Sequence, residues 1–106
     1  MPPGKLAAQA GHAFLDAFLA APPDRQSEYR DPGHGTKVAL RAATLEELLW
    51  AQAELAYAGI PHALIQDAGH ILPPHFDGAP IVTALGFGPC RREEVRQVTR
   101  RFALVP

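Results

Sequence analysis

Proline and glycine divide this chain into short segments, and this division limits the folds that are open to it. Residues 21–35 hold three prolines and two glycines, which are too many breakers for one long element. This stretch predicts a connecting loop with one short helical turn near residues 26–29. Residues 71–80 hold three further prolines. The segments between these stretches are therefore expected to be short helices and strands.

Helical and extended patterns alternate along the first half of the chain. Residues 4–20 are rich in alanine and predict a slim helix, which can approach another backbone closely. Residues 36–42 alternate apolar and polar side chains, as a half-exposed strand does. Thr44 and Glu47 have the spacing of a capping box, in which the Glu47 carboxylate would reach back to the Thr44 amide. A helix should therefore begin there and end at Gly59.

The second half continues this alternation. Residues 63–67 and 81–87 are strand-like, and residues 91–101 predict the final helix. The order helix, strand, helix, strand, strand, helix indicates an α/β fold with a small mixed sheet covered by helices. A chain of 106 residues has room for one modest core, so residues 1–106 are expected to form a single domain.

The composition excludes several classes of protein. No apolar run approaches the roughly 20 residues that span a bilayer, and the N-terminus lacks the layout of a secretory signal. We therefore expect a soluble, cytoplasmic protein that does not bind a membrane. Cys90 is the single cysteine of the sequence, so no intrachain disulfide is possible.

The distribution of charge along the sequence tells more about possible nucleic-acid binding than the net charge does. Ten Lys and Arg against eleven Asp and Glu give a formal charge of -1, which argues against indiscriminate nucleic-acid binding. Arg92, Arg96 and Arg100, however, repeat every four residues along one helical stripe. Such a stripe is usually only a solvated face, but beside an anion site it becomes a phosphate contact.

Asp67 lies where the apolar run 63–65 ends and Gly69 permits a turn. Open α/β sheets tend to place ligand groups at the carboxyl ends of strands. An Asp in this setting also commonly bonds nearby backbone amides, and on these residues alone that structural role is favoured. A catalytic role for Asp67 therefore needs support from the rest of the chain.

Other positions also offer chemistry. Lys5 lies at the start of the first helix, where exposed amides and the helix dipole already favour an anion, although most such lysines are only solvated. His12 has the spacing to pair with Asp16, and on spacing alone a structural hydrogen bond is the favoured role. Gly86 and Gly88 allow backbone to come near a ligand or another element.

Most standard catalytic motifs are absent from the sequence. It contains no phosphate-binding glycine loop, dinucleotide fingerprint, zinc-protease motif or serine nucleophile elbow. The five histidines lack the spacing of a structural zinc site, so we expect no metal. A helix-start lysine, a strand-end carboxylate, Thr83 and glycine-lined backbone suit hydrolysis by an oriented water, with a cation stabilising the developing oxyanion.

Three stretches of the sequence have the form of motifs: residues 4–13 (GKLAAQAGHA), residues 66–70 (QDAGH) and residues 83–89 (TALGFGP). In this order they resemble the first, second and third motifs of the type 2 peptidyl-tRNA hydrolase family, in its bacterial-type form. The three stretches occur in the family's order over nearly the whole chain. Their combination is much more specific than any one of them.

This resemblance implies a four-stranded mixed sheet with helices on both faces, and cleavage of the ester that joins a peptide to the 3′ end of tRNA. It implies no metal or organic cofactor. By motif, Lys5 and Asp67 become the main catalytic candidates, with Thr83 and His12 assisting. The candidates for contacts with the peptidyl-tRNA substrate are Gln9, Gly69, His70, Gly86, Gly88, Arg92, Arg96 and Arg100.

The sequence departs from the family pattern in two places. Ile71 stands where the family usually has a threonine, so a role that depends on that hydroxyl is absent or moved. The family also begins with a strand before the first motif, whereas this sequence starts at Met1-Pro2-Pro3. Either the start codon has been placed too late, or the sheet lacks its first strand and a second chain could cover the exposed edge in a homodimer.

Two other functions stay open on the sequence. One is a noncatalytic or differently specific member of the same fold, because fold does not fix function. The other is a small interaction module built on Trp50 and Tyr57, which simple packing of their helix leaves exposed unless a neighbouring loop covers them. The interaction module leaves the three motifs unexplained.

Overall fold

The structure is a computed structural model that describes residues 2–31, 33, 35–67 and 81–106. The helices in these residues are α1 (Pro3–Ala20), α2 (Pro23–Arg30), α3 (Leu45–Tyr57) and α4 (Arg92–Thr99), and the strands are β1 (Leu40–Arg41), β2 (His62–Asp67), β3 (Ile81–Phe87) and β4 (Ala103–Leu104). This content confirms the predicted α/β class. No helix in the described ranges is long and apolar enough to cross a membrane.

The described strands form two antiparallel pairs, where one mixed sheet was expected. β2 pairs with β3, from His62 opposite Phe87 to Asp67 opposite Ile81, and β1 pairs with β4. The two pairs are separated by a cavity of about 1820 Å³, which residues 36–42 line on one side and residues 83–89 on the other. β4 was not predicted, since a strand of two residues is too short to show an alternating pattern.

Helices cover both faces of the β2–β3 pair, as the resemblance implied. On one face α1 lies so close that a Cβ added to Gly86 would be 1.9 Å from the carbonyl oxygen of Ala13. This distance is far inside van der Waals contact, so position 86 requires glycine. On the other face Leu85 and Phe87 pack against the core of α3 and α4.

The core on the α3 and α4 face is small. Its buried members are Ala51, Leu55, Ile60, Val95 and Val98. In the described part of the chain, Leu55 is the one large side chain that is fully buried. The fold therefore depends on close contact between small residues as well as on the burial of large ones.

The ends of α3 have the caps that the sequence predicts, with one difference. Thr44 Oγ1 accepts a hydrogen bond from the Glu47 amide at 3.1 Å. The Glu47 carboxylate accepts from the Ala43 amide, also at 3.1 Å, and not from the Thr44 amide as expected. Gly59 has a φ of 73°, which is the left-handed conformation that ends a helix and favours glycine.

Trp50 and Tyr57 do not form a common exposed patch. The Trp50 ring lies beside Phe102, with their centroids 6.4 Å apart, and the Arg101 guanidinium is 4.5 Å from the Trp50 centroid. Tyr57 is 93% exposed. The C-terminal segment thus covers Trp50, which is the second of the two arrangements expected for this residue.

Residues 23–30 form a full helix, so the prediction of a loop with a single turn is wrong. Pro23 occupies the first helical position, where its missing N–H costs no hydrogen bond. Arg25 forms an ion pair with Glu94 of α4 at 2.9 Å, and Arg91 pairs with Glu28. These contacts hold α2 in place within a stretch, residues 21–35, that contains several breakers.

The Arg25–Glu94 pair predicts a pH dependence of stability. The hydrogen bonds from Arg25 and from the Arg91 amide lower the pKa of Glu94 below its ordinary value of 4.5. A carboxylate with a lowered folded pKa stabilises the fold above its unfolded pKa, and this contribution is lost as the pH falls through the folded pKa. Glu94→Gln should therefore flatten the decrease in unfolding free energy below about pH 5.

Urea unfolding at a series of pH values measures this effect. Glu93→Gln is the matched control, because it neutralises the neighbouring exposed carboxylate of the same helix turn. It should keep the wild-type slope. A Glu94→Gln slope equal to that of the wild type would contradict the assignment.

The close approach at Gly86 gives a second prediction. Gly86→Ala should lower the unfolding free energy by roughly 1–3 kcal/mol, because the backbone at Ala13 must move away. Gly11→Ala is the control, since a Cβ added there meets nothing within 4 Å. The control should raise stability by about 0.5–1 kcal/mol, as alanine does inside a helix. A Gly86→Ala variant as stable as the wild type in thermal unfolding would contradict the packing.

Candidate active site

The candidate catalytic lysine lies in the first turn of α1, as the sequence predicts. Two consecutive prolines start the helix, which makes Lys5 its third residue. Its side chain is half-buried. Gln9, His12 and Asp16 follow at intervals of four, three and four residues, so all four side chains lie along one stripe of the helix.

A β-bulge changes the direction of Thr83 on β3. Ile65 is opposite Ala84 and Gln66 is opposite Val82, which leaves Thr83 as the extra residue of the strand. A bulge of this kind interrupts the alternation of side chains and turns one of them toward the other face. Thr83 therefore faces α1 and not the core on the other side of the pair.

The Thr83 hydroxyl connects the helix to both strands. It donates to Gln9 Oε1 at 3.1 Å, and the carbonyl oxygen of Ile65 lies 3.3 Å away as a second acceptor. Gln9 is 8% exposed, which makes it a buried polar side chain that requires such a partner. The contact of Gln9 with substrate stays a prediction, and in the structure its side chain fixes the position of Thr83.

These contacts set the direction of α1 along β2. Ala13 packs on Gly86, which is opposite Ala63 near the start of β2. One helical turn earlier, the Gln9 side chain reaches the hydroxyl that also approaches Ile65. The helix therefore runs antiparallel to β2.

The same register brings Lys5 to the level of Asp67. From Gln9 to Lys5 the helix rises about 6 Å. From Ile65 to Asp67, which ends β2, the strand advances about 6.6 Å. The two steps match, so the first turn of α1 and the carboxyl end of β2 lie side by side. This placement agrees with the prediction that Asp67 stands at a strand end.

An open groove of about 420 Å³ extends from this register between α1 and β2. Its lining residues are Gln9, His12, Asp16, Leu64, Ile65 and Gln66. His12 and Asp16 are both exposed, and no hydrogen bond joins them in the described part of the chain. The structural pair expected for His12 is therefore not formed, and its imidazole is open to the groove.

The remaining predicted site residues are distributed unevenly. The sequence predicted that the backbone at Gly86 comes close to a ligand or to another element. Gly86 lies against α1, so the structure shows the second of these. Gly88 has a φ of 93° and donates its N–H to the carbonyl oxygen of Pro61 at 2.8 Å. Gly69 and His70 lie outside the described residues.

The predicted arginine stripe does not reach the groove. Arg92 and Arg96 are exposed on α4, and Arg100 caps its end. α4 packs on the face of the β2–β3 pair opposite to α1, through its buried residues Val95 and Val98. Any contact between the arginines and a ligand is therefore at a distance from Lys5 and Asp67.

Leu64 and Gln66 line the groove but were not predicted as site residues, although Gln66 is the first residue of the second motif. Both belong to β2, and their place beside α1 depends on how the helix lies across the sheet. The stripe formed by Lys5, Gln9, His12 and Asp16 was the available signal, because its spacing marks one face of α1.

The arrangement suits acid–base and electrostatic chemistry in an open groove. In the described ranges, no group of three or more His, Cys, Asp or Glu could hold a metal ion. A lysine at a helix start can stabilise an oxyanion, and an aspartate at the end of the neighbouring strand is a residue type that can orient a water molecule. Fold and site together define a small α/β protein with a site of hydrolase type.

Comparison with known proteins identifies the family. The sequence model of the family described as Peptidyl-tRNA hydrolase PTH2 matches residues 1–105. A peptidyl-tRNA hydrolase of Methanothermobacter thermautotrophicus is 35% identical over 102 residues, which cover 96% of this chain and 87% of the relative. Relatives of the same name from Halobacterium salinarum and Methanopyrus kandleri are 38% and 42% identical, over 95% and 96% of this chain and 86% and 85% of their own lengths. The chain belongs to the peptidyl-tRNA hydrolase PTH2 family.

The Thr83 hydroxyl predicts a measurable contribution to stability. Thr83→Val keeps the shape of the side chain but leaves the buried Gln9 oxygen without this donor, which should cost about 1–3 kcal/mol of unfolding free energy. Thr83→Ser keeps the hydroxyl and is the matched control, with a smaller loss. Equal stability of the Val and Ser variants in urea unfolding would contradict the hydrogen bond.

Proposed function

We propose that this chain hydrolyses the ester bond between a peptide and the 3′ end of tRNA, and so releases free tRNA. The family match over residues 1–105 carries this proposal. The register of α1 on β2 supports it, because that register brings Lys5 and Asp67, from two separate motifs, to the same end of the groove. The substrate is peptidyl-tRNA, and the reaction uses water and no organic cofactor.

In the proposed mechanism Asp67 orients the attacking water at the end of β2. The water oxygen bonds to the ester carbonyl carbon, and the carbonyl oxygen becomes an oxyanion. Lys5 stabilises this negative charge, with the first-turn amides of α1 adding the positive end of the helix dipole. The bond to the tRNA oxygen then breaks, and a proton from the water goes to that oxygen. The second proton of the water is released to solvent as the new carboxyl group ionises, so the products are a peptide carboxylate, a tRNA hydroxyl and a proton.

Thr83 and His12 have supporting roles in this proposal. Thr83 holds Gln9, which lies one turn after Lys5 on the same stripe of α1, and so keeps the helix in register with β2. His12 opens into the groove two turns after Lys5 and can bond the substrate. Gly69 and His70 are proposed to contact substrate on the strength of the second motif.

The tRNA part of the substrate is proposed to contact the exposed arginines of α4. Arg92, Arg96 and Arg100 offer three cations on the face opposite to α1. A folded tRNA is much larger than this domain, so its phosphates can reach a second face while its 3′ end lies in the groove. Electrostatic attraction through this stripe would compensate for the formal net charge of -1.

The strand that the family has before its first motif is proposed to complete the sheet. β3 has β2 as its only strand neighbour in the described residues, and its other side lines the 1820 Å³ cavity. A strand there would join the two pairs into one mixed sheet. It would come either from residues ahead of Pro2 or from a second chain in a homodimer.

Three further expectations belong to this proposal. Residues 1–106 act as a single domain, and the site of action is the cytoplasm, where peptidyl-tRNA arises. The bacterial-type assignment stays a prediction, since the relatives named above are archaeal.

Replacement of the two main catalytic candidates tests the mechanism. Lys5→Ala and Asp67→Ala should each lower kcat for peptidyl-tRNA cleavage by roughly 10²–10³-fold, because each removes a charge that acts in the transition state. Lys37→Ala is the matched control, since Lys37 lies over the Tyr29 ring at 5.2 Å and is not part of the groove. Circular dichroism checks that the variants fold.

Unchanged turnover in both site variants would remove Lys5 and Asp67 from the mechanism. Absence of cleavage by the wild-type chain would instead favour the alternative, a noncatalytic or differently specific member of the fold.

The arginine stripe predicts a salt dependence of binding. Replacement of Arg92, Arg96 and Arg100 by Gln should raise KM and reduce the slope of log affinity against log salt by about 2–3, the value for three phosphate contacts. Arg30, Lys37 and Arg41 replaced by Gln give the same change in net charge on other elements, and this control should keep most of the wild-type slope. Equal slopes for the two triple variants would contradict a specific role of α4.

A further inference from the structure

In the described part of the chain, one edge of β2 has no strand partner, and three residues of this strand line the groove. β3 is the only strand that pairs with β2 among the residues the structure describes. The groove is lined by Leu64, Ile65 and Gln66 of this strand. An unpaired strand edge presents amide donors and carbonyl acceptors to any extended chain beside it. The groove therefore offers main-chain as well as side-chain hydrogen-bonding groups.

The register identifies a residue whose peptide groups point toward this edge. The Gly88 amide donates to the Pro61 carbonyl oxygen at 2.8 Å, so these two residues form a hydrogen-bonded pair. In an antiparallel ladder such pairs alternate with pairs whose peptide groups point away from the partner strand. Ala63 therefore bonds inward to β3, and Leu64 directs its N–H and C=O outward.

The groove begins near Lys5 and Asp67 and leads away from them. From Gln9 to Asp16, which line it along α1, the helix rises about 10 Å. An extended peptide covers this length with about three residues. A chain that starts at the ester and continues along the groove would lie parallel to the free edge for this distance.

We propose that this groove binds the peptide part of peptidyl-tRNA as an extended strand added to the edge of β2. The proposal rests on the hydrolytic function proposed above and adds a subsite to it. Hydrogen bonds between main chains do not depend on which side chains the peptide carries, so this pairing suits a substrate whose peptide sequence varies. His12 and Asp16 line the opposite wall and supply polar contacts to the residues farther from the ester.

A second copy of the chain is the competing occupant of this edge. Pairing of β2 with β2 of another copy would place protein along the open side of the groove. The groove ends at Gln9 and Gln66, which are one helical turn from Lys5 and next to Asp67. This position favours the substrate, because the ester must lie at that end for hydrolysis. Each occupant gives a different experimental result.

The dependence of hydrolysis on peptide length tests the subsite. With the full chain, kcat/KM should rise about tenfold from N-acetylaminoacyl-tRNA to a tripeptidyl-tRNA, because two more residues can pair with the strand edge. It should change little from three residues to five. Single N-methylation of the amides of the tripeptide should lower kcat/KM about tenfold at the position that pairs with β2.

Leu64 provides the matching test on the protein. Leu64→Pro removes the outward N–H but no hydrogen bond to β3, which an edge strand tolerates. It should reduce the ratio of tripeptidyl to N-acetylaminoacyl hydrolysis toward one. Leu64→Ala removes the side chain but keeps the N–H, and it should keep the wild-type ratio. If Leu64→Pro does not fold, the N-methyl series decides the question.

The outcomes separate this proposal from the function on which it rests. Hydrolysis of all substrates with a wild-type ratio near one would overturn the subsite and leave the hydrolase function standing. No hydrolysis at any length would overturn both. A ratio near one, together with a dimer in light scattering that Leu64→Pro dissociates, would assign the edge to a second copy.

Discussion

The contact between the backbones of α1 and β3 is the constraint on which the rest of this structure depends. At Gly86 the helix lies so close that no side chain fits between the two elements. Such an approach needs a glycine on the strand and a small residue, Ala13, on the helix. The first motif and the third motif of the sequence supply one of these residues each. The small volume of these two residues therefore serves the packing of α1 on β3 directly, and it serves the site only through that packing.

The contact fixes α1 in one register on β3, and this register determines which side chains of α1 lie beside the ends of the strands. With Ala13 on Gly86, the Gln9 side chain meets Thr83, which a β-bulge has turned toward the helix. One further turn places Lys5 beside the end of β2. No long-range charge interaction is needed to align the site, because the rise of the helix and the advance of the strand match over this distance.

Patterns that act locally were readable from the sequence. The Thr44 cap, the helix end at Gly59 and the strand Ile81–Phe87 depend on neighbouring residues, and all three are present. The positions of Lys5 and Asp67 at a helix start and a strand end were predicted for the same reason. Such elements need only their own turn chemistry and periodicity.

Features that depend on distant contacts were not readable. The helix α2 is held by Arg25 and Glu94, which are 69 residues apart. The bulge at Thr83 results from the pairing of two strands, and no residue in either strand marks it. The cavity that separates β1–β4 from β2–β3 is lined by residues from many parts of the chain, so no local pattern predicts it. The groove and its strand edge could not be predicted either, because they depend on how α1 lies across the sheet.

We propose that the α1 register makes Lys5 and Asp67 one catalytic unit. A double-mutant cycle on kcat/KM for peptidyl-tRNA, with Lys5→Ala, Asp67→Ala and the double variant, tests it most directly. If the two side chains act on the same transition state, the double variant should be about as slow as the slower single variant. Losses that multiply, as they do for independent sites, would contradict the account.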